Sequence, residues 1–370
     1  MDTQFFLDRG WINTSAVSIF DVPGQRYLNT VLLDDVMLGA ANPWGVTVTD
    51  DDVWLCVNAS GAHEVVVIDI KEMFARIERA AAPEEIMNDL AFLYGAKHRA
   101  KLEGEGARAI AAKGNFLYVP MYFSDSVNVI EMWDDGPGAA IPVPLQEPAR
   151  PDLIRVGEMA FNDATFCYQH WQSCASCHPD VRSDGTNWDL LNDGIGNPKQ
   201  SRSLLYTHKT SPVMITGVRP AAEIAVTKGF SHIQFHQVTQ ERDDAVNEYL
   251  KSLEPIPSPY LTKDGRLTEA ARRGKAIFDG KAGCVTCHVP PYFGDRSKHR
   301  FGLGSDDDRE REFATPILIE CWRTAPYMYD GRAVSIKDVI TVDNKNNSHG
   351  NTKDLTDQEV EDLAEYVKSL

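Results

Sequence analysis

Over the front of the chain, to about residue 145, apolar and polar positions alternate in short runs, and the runs recur. Trp44-Gly-Val-Thr-Val48, Leu55-Cys-Val57 and Val65-Val-Val-Ile-Asp69 return in the same order as Ala107-Arg-Ala-Ile-Ala111, Leu117-Tyr-Val119 and Val127-Asn-Val-Ile-Glu131, after an earlier echo in Ala16-Val-Ser-Ile-Phe-Asp21. A period of two with β-branched residues predicts short strands in repeated groups. Between Lys71 and Tyr94 the spacing becomes helical, which predicts an insertion between two strand groups. Further on, helical spacing takes over: Asp357, Val360, Leu363, Ala364 and Val367 share one face, as do Ala245, Tyr249 and Leu253. Thr356-Asp-Gln-Glu359 offers a capping box for the last helix, and Pro255 to Pro259 reads as a linker.

The back of the chain is a second duplication. Arg155-x-Gly157-x-x-x-Phe161 recurs as Arg272-x-Gly274-x-x-x-Phe278, Thr210-x-Pro212-x-Met214-x-x-Gly217 as Thr324-x-Pro326-x-Met328-x-x-Gly331, and Glu248-Tyr-x-Lys-Ser-Leu253 as Glu365-Tyr-x-Lys-Ser-Leu370. Each copy encloses one Cys-x-x-Cys-His run, Cys174-Ala-Ser-Cys177-His178 and Cys284-Val-Thr-Cys287-His288. Two thiols that add to haem vinyl groups, with a histidine beside them for iron, make the attachment pattern of a c-type haem. By chance this composition yields such a run about 0.004 times per chain. A zinc site or a reducible dithiol would also use paired cysteines, but no second Cys or His pair stands at zinc-finger spacing. Two modules of about 100 residues, one haem in each core, follow.

With 43% hydrophobic residues and no long apolar run, the sequence offers no transmembrane helix. The net charge of −17 argues against nucleic acid and anionic membranes and suits a basic redox partner. Haem would occupy four of the seven cysteines; Cys56, Cys167 and Cys321 remain, an odd number that cannot form a complete set of intrachain disulfides. Cys56, in a strand-like run, reads as a small core residue. Covalent haem attachment implies the periplasm, yet Met1 to Phe20 shows no basic start and apolar stretch of an export signal, so the natural N-terminus is expected to lie upstream.

Two haem motifs about 110 residues apart, with Thr315-Pro316-x-Leu318 and Ala325-Pro-Tyr-Met-Tyr-Asp-Gly331 after the second, resemble the bacterial di-haem cytochrome c peroxidase and MauG family. The likeness covers residues 151–370, while the front resembles YVTN-type β-propeller blades, two clear and part of a third, too few to close a ring. The expected architecture is therefore multidomain: an N-terminal all-β partial propeller over 1–147, then two mainly α-helical cytochrome c domains over 151–256 and 260–370. The resemblance implies two covalent haems, one collecting electrons and one reducing peroxide or a related oxidant. It also implies a small redox protein donor, such as a cytochrome c or cupredoxin. Calcium, which the family often holds between its domains, would have only the acidic run Asp306-Asp-Asp308 as a candidate. Three departures stand out: Ile215 where the family holds an aromatic residue, commonly Trp, between the haems, Tyr329 in place of a His, and no Asn-Pro-x-Glu-like stretch for the peroxidatic glutamate. Glu223 is the nearest acid after Gly217.

The second axial ligand decides between electron transfer and catalysis, because only an open or displaceable side admits a small oxidant. His232 and His349 are matched candidates, each 16 residues before the repeated Glu-Tyr pair at Glu248 and Glu365. Met214 and Met328 are the competing pair, and methionine would raise the potentials where histidine lowers them. His236 is a candidate distal acid–base group, while His208 and His170 read as structural. Arg219 and Arg332 are candidate propionate partners. Trp171, Tyr168, Trp322, Tyr327 and Tyr329 read first as haem packing. Three readings stay open: a peroxidase-like oxidoreductase, a non-catalytic di-haem carrier docking through the propeller, and a MauG-like oxidase of an organic substrate.

Overall fold

The computed structural model describes residues 13–147, 150–189, 198–302, 304, 306–344 and 346–370. Contacts gather the chain into two units, Met1–Ser176 with Gly229–Val246, and Cys177–Lys228 with Asn247–Leu370. The segment 151–256, expected as one cytochrome c domain, contributes to both. No helix among the described residues is long and apolar enough to cross a membrane.

The first unit opens on a hairpin, β1 (Ala16–Asp21) with β2 (Arg26–Leu32). A four-stranded antiparallel sheet follows, β3 (Pro43–Val48), β4 (Trp54–Ala59), β5 (Glu64–Asp69) and β6 (Lys97–Lys101). The second sheet is β7 (Ala111–Lys113), β8 (Phe116–Met121), β9 (Ser126–Trp133) and β10 (Gly136–Pro144). Val65, Val66, Val67 and Ile68 are all fully buried because the β3–β6 sheet is covered on both faces. Cys56, Val65 and Val67 pack toward Leu117, Val119 and Ile130 of the second sheet. Val57, Val66 and Ile68 face Val31 and Leu33 instead. Each fully buried aliphatic side chain contributes about 1.5–3 kcal/mol.

The helical insertion is real but lies elsewhere than expected. Helix α1 (Ile70–Arg79) and the short helix Pro83–Asn88 interrupt one sheet between β5 and β6, not two strand groups. Lys97–Lys101 pairs with β5 by main-chain bonds, and its charged residues hid that strand from an apolar pattern. The expected strand Ala107–Ala111 shrinks to one bridge, Ala107 with Met121, followed by β7.

Helix α2 (Leu153–Asn162) belongs to the first unit, capped by Asp152. A helical turn, α3 (Cys174–Cys177), carries the first cysteine pair, and α4 (Ala222–Lys228) precedes a π-helical turn at Gly229–Ile233. Helix α5 (Gln240–Lys251) buries Ala245, Val246 and Leu250; it stops before Leu253 because Pro255 disfavours helix in the residue ahead of it. In the second unit α6 (Glu269–Asp279) crosses α8 (Asp357–Lys368), with α7 (Ile336–Ile340) alongside. Phe278, Ile336, Val360, Leu363, Ala364 and Val367 form its core, and the Thr356–Glu359 capping box is present. Gly274 permits the crossing: a Cβ there would lie 1.8 Å from the Asp362 carbonyl oxygen.

Candidate functional site

The two Cys-x-x-Cys-His segments present their histidines identically. His178 Nδ1 donates to the Arg182 carbonyl and His288 Nδ1 to the Phe293 carbonyl, both at 3.0 Å. Fixing the proton on Nδ1 leaves Nε2 as the lone-pair nitrogen, the arrangement of a metal-ligating histidine. Burial pushes both rings below the usual histidine pKa, so each stays neutral and able to ligate. Cys174 and Cys284 are raised by burial to about 12 and about 11, which keeps their thiols protonated, unlike a redox-active dithiol.

Facing His288 is His349, with ring centres 6.1 Å apart and planes tilted by 59°. An iron held between two imidazoles by bonds of about 2 Å each would separate the ring centres by roughly 6 Å. Burial, with the neighbouring His288, pushes His349 down to about 4, so it too is neutral. Buried Asn344 fastens the His349 loop: its side chain accepts from the His349 N–H at 2.8 Å. It donates to the His349 and Gly350 carbonyls at 2.8 and 2.9 Å. Phe301 lies 5.5 Å from the His349 ring.

The counterparts of the first motif are placed differently. His178 falls in the second unit and His232 in the first. His232 is exposed on the π-helical turn, its Nδ1 2.7 Å from Ser231 Oγ. His236 is exposed too, 6.1 Å between centroids from Phe166. Glu223 is half exposed, 3.8 Å from Lys251 Nζ and 4.0 Å from Nε2 of buried His208. Met214 and Met328 are half-buried and match in conformation, with φ of +72° and +73°, a region that side chains other than glycine rarely adopt. Tyr168 and Trp171 meet edge to face, and Tyr329 stacks on Phe313. His170 is half-buried, and its Nδ1 has no partner.

Several polar groups around the motifs were not legible from sequence. Arg182, whose carbonyl holds His178, makes a buried two-bond ion pair with Glu320 at 2.6 and 2.9 Å. Arg202 is half-buried, donates to the Met214 carbonyl at 2.9 Å and has no carboxylate acting on it, and burial pulls its pKa down to about 10. Trp322 Nε1 is buried without a partner, and His208 turns its Nε2 to the Asn247 side-chain oxygen at 2.8 Å, leaving Nδ1 without one. Of the two arginines expected at propionates, Arg332 is occupied by Asp330 at 2.7 Å, while Arg219 backbone pairs with Val213. An arginine that meets no carboxylate and a buried indole N–H without a partner fit a carboxylate-bearing haem. In the acidic run, Asp308 is fully buried between Lys199 at 3.4 Å and Arg311 at 3.2 Å, so cationic side chains already serve it. The side chain of Asp306 lies outside the described residues. Among those described, the three-donor cluster Cys287, Asp295 and His299 shares its cysteine with the second motif.

Comparison with known proteins agrees with this chemistry. The cytochrome c family model matches residues 271–370. Hydrazine synthase subunit gamma of Kuenenia stuttgartiensis is 30% identical over 60% of this chain and 79% of its own length. The methylamine utilization protein MauG of Methylophilus methylotrophus is 25% identical over 62% and 86%. A solved Kuenenia stuttgartiensis hydrazine synthase structure superposes with a TM-score of 0.54 at 27% identity, over 61% of this chain and 89% of the matched one. A helical c-type haem domain at the C-terminus behind an all-β front is thereby established.

Proposed function

We propose that this chain, which belongs to the di-haem cytochrome c peroxidase and MauG family, binds two covalent haems and passes electrons from the site at His288 to the site at His178 for reduction of a small oxidant. One observation carries the reading: His349 faces His288 at a spacing that suits iron between them, whereas His232, its match in the repeat, is exposed. When bound, haem supplies reversible one-electron chemistry and, where one axial side is open, a place for a small oxidant. Cys174 and Cys177, and Cys284 and Cys287, would hold the porphyrins by thioether bonds. His178 and His288 would supply Nε2 to iron. His349, pinned by Asn344, closes the second site to small molecules.

Reducing a peroxide to two waters consumes two electrons, which two bound haems would supply, and two protons. Glu223, half exposed with Oε1 4.0 Å from His208 Nε2, is the group of the second unit suited to moving those protons. The acidic surface suits a basic redox donor in the periplasm, and the stacked four-stranded sheets are read as YVTN-type propeller blades that dock it. The 30% identity to a hydrazine synthase subunit supports a second reading, in which the oxidant is a small nitrogen compound.

The test is optical and spin-resonance titration of the haem-loaded chain, oxidised and half-reduced, followed by peroxide or hydroxylamine. Two irons per chain, with high-spin iron at one site that reacts with peroxide, is the expected result. Reaction with hydroxylamine alone selects the nitrogen reading. Two low-spin centres inert to both after half-reduction would make the chain an electron carrier and overturn the catalytic reading.

A further inference from the structure

Two arginines of the first unit share a pair of aromatic rings and are served very unequally. Arg155, in the first turn of α2, holds Glu158 at 2.7 Å and donates to the Tyr122 carbonyl at 2.7 Å. Its guanidinium lies 4.3 Å from the centre of the Tyr122 ring and 4.5 Å from that of Phe123. Arg108, between β6 and β7, lies on the same two rings at 4.0 and 5.0 Å and adds a third, Trp44 of β3, at 4.9 Å. Gly106 permits this approach: its φ is +74°, a Cβ there would lie 2.3 Å from the Phe123 ring, and its carbonyl accepts from the Tyr122 N–H at 2.9 Å. The Arg108 guanidinium makes no hydrogen bond to any described residue. Nε is sealed from solvent without an acceptor, and Nη1 comes only within 3.8 Å of Glu158, beyond hydrogen-bond range. The side chain is 22% exposed, while Trp44 and Tyr122 are 53% and 45% exposed. Two guanidinium groups and one carboxylate leave this cage one positive charge in excess, on a chain whose net charge is −17.

We propose that the Arg108 cage is a binding site for a small organic acid, a single carboxylate on a flat apolar ring, with the carboxylate on Nη1 and Nη2 of Arg108 and the ring against Trp44 and Tyr122. A guanidinium presents planar, paired donors that match a carboxylate, and here no acceptor of the chain competes for them. The rings fix the plane of the guanidinium before any ligand arrives, so little side-chain freedom is lost on binding. One excess positive charge suits a monoanion, and exposed aromatic side chains favour a flat apolar body over a compact inorganic anion. Arg155, already held by a carboxylate and a carbonyl, serves as the internal contrast: its rings are the same, and it has an acceptor on each arm. Every residue of the cage belongs to the all-β front and α2, so the site stands independently of the reading given for the haem motifs.

The experiment is calorimetric titration of the haem-loaded full chain with benzoate, neutral benzamide and acetate, for wild type, Arg108→Gln and Trp44→Ala, with the haem spectrum followed throughout. Benzoate should bind wild type about tenfold or more tightly than either benzamide, which lacks the charge, or acetate, which lacks the ring. Arg108→Gln should weaken benzoate about tenfold or more, and exposed Trp44→Ala about threefold, with the haem spectrum unmoved. Equal affinities for benzoate and benzamide, or no binding to wild type at about 10 mM benzoate, overturn the proposal, and both results stand even if Arg108→Gln does not fold. Unchanged benzoate affinity in Arg108→Gln or in Trp44→Ala overturns it too. So does benzoate binding that shifts the haem spectrum and survives Arg108→Gln, which would put the acid at iron.

Discussion

His178 and His288 sit in the same sequence motif, donate the same ring proton to a main-chain carbonyl at the same 3.0 Å, and are both held neutral by burial. Beyond that clamp the two segments diverge. The loop bearing His349 is knotted around Asn344 and presents a buried ring to His288, while His232, at the matched position, stands exposed on a π-helical turn beside Ser231. The repeat therefore keeps the clamp on the motif histidine, while the two matched downstream histidines differ in burial. The lesson is that a haem motif specifies the proximal half of a site, whereas the loop that returns to the far side decides whether iron is closed or open to a reactant.

The sharpest way to break this comparison is to exchange the roles. His349→Ala should turn about half of the haem iron from low-spin to high-spin, read by optical and spin-resonance spectra, while His232→Ala should leave the low-spin signal of the second site intact. Equal losses in both variants would sink the asymmetry. Next in size is Glu320→Gln. Leaving Arg182 buried and uncompensated should cost roughly 3–5 kcal/mol in thermal or denaturant unfolding, and the spectrum of the site at His178 should broaden first, since Arg182 supplies its carbonyl.

A smaller effect distinguishes the run-in to the first motif. His63 Nε2 lies 3.3 Å from Asp163, both well buried. Burial pushes His63 down, but Asp163 and Glu105 outweigh it and hold the ring above its usual value. Burial pushes Asp163 up, and His63 and Thr165 outweigh that to hold it below the usual carboxylate value. The raised histidine gives stability that is lost as pH rises through its folded pKa; the lowered carboxylate gives stability lost as pH falls through its own. Asp163→Asn should therefore cost roughly 1–3 kcal/mol at mildly acidic to neutral pH and remove both flanks from an unfolding-against-pH profile of the first unit. An unchanged profile would rule the pair out as a strut. Least of all, Thr356→Ala should cost about 1 kcal/mol by removing the α8 capping box, without altering either haem spectrum.

Most of this site was readable where chemistry is local in the chain. Two cysteines and a histidine within five positions carry their meaning with them, and the matched placement of His349 pointed to a ligand before any geometry. The strand groups around Val65–Ile68 and the capping box at Thr356 were legible for the same reason, because period and capping act over a few residues. Charged Lys97–Lys101 escaped, since its strand identity comes from pairing with β5 and not from its own side chains. Arg202 escaped as well. A lone arginine in sequence is ordinarily solvated, and only its bond to the Met214 carbonyl, with no carboxylate to meet it, sets it apart.

By itself the sequence carried two Cys-x-x-Cys-His runs, the twofold order of the C-terminal half and the all-β character of the front, because motif and strand pattern are encoded over a few residues and the duplication repeats that order along the chain. Tertiary structure alone decided that His349 lies beside His288, that Glu320 braces the support of His178, and that Arg202 donates to the Met214 carbonyl with no carboxylate to meet it. Those outcomes depend on residues far apart in the chain meeting inside a medium that screens charge poorly, where burial decides what a side chain can do.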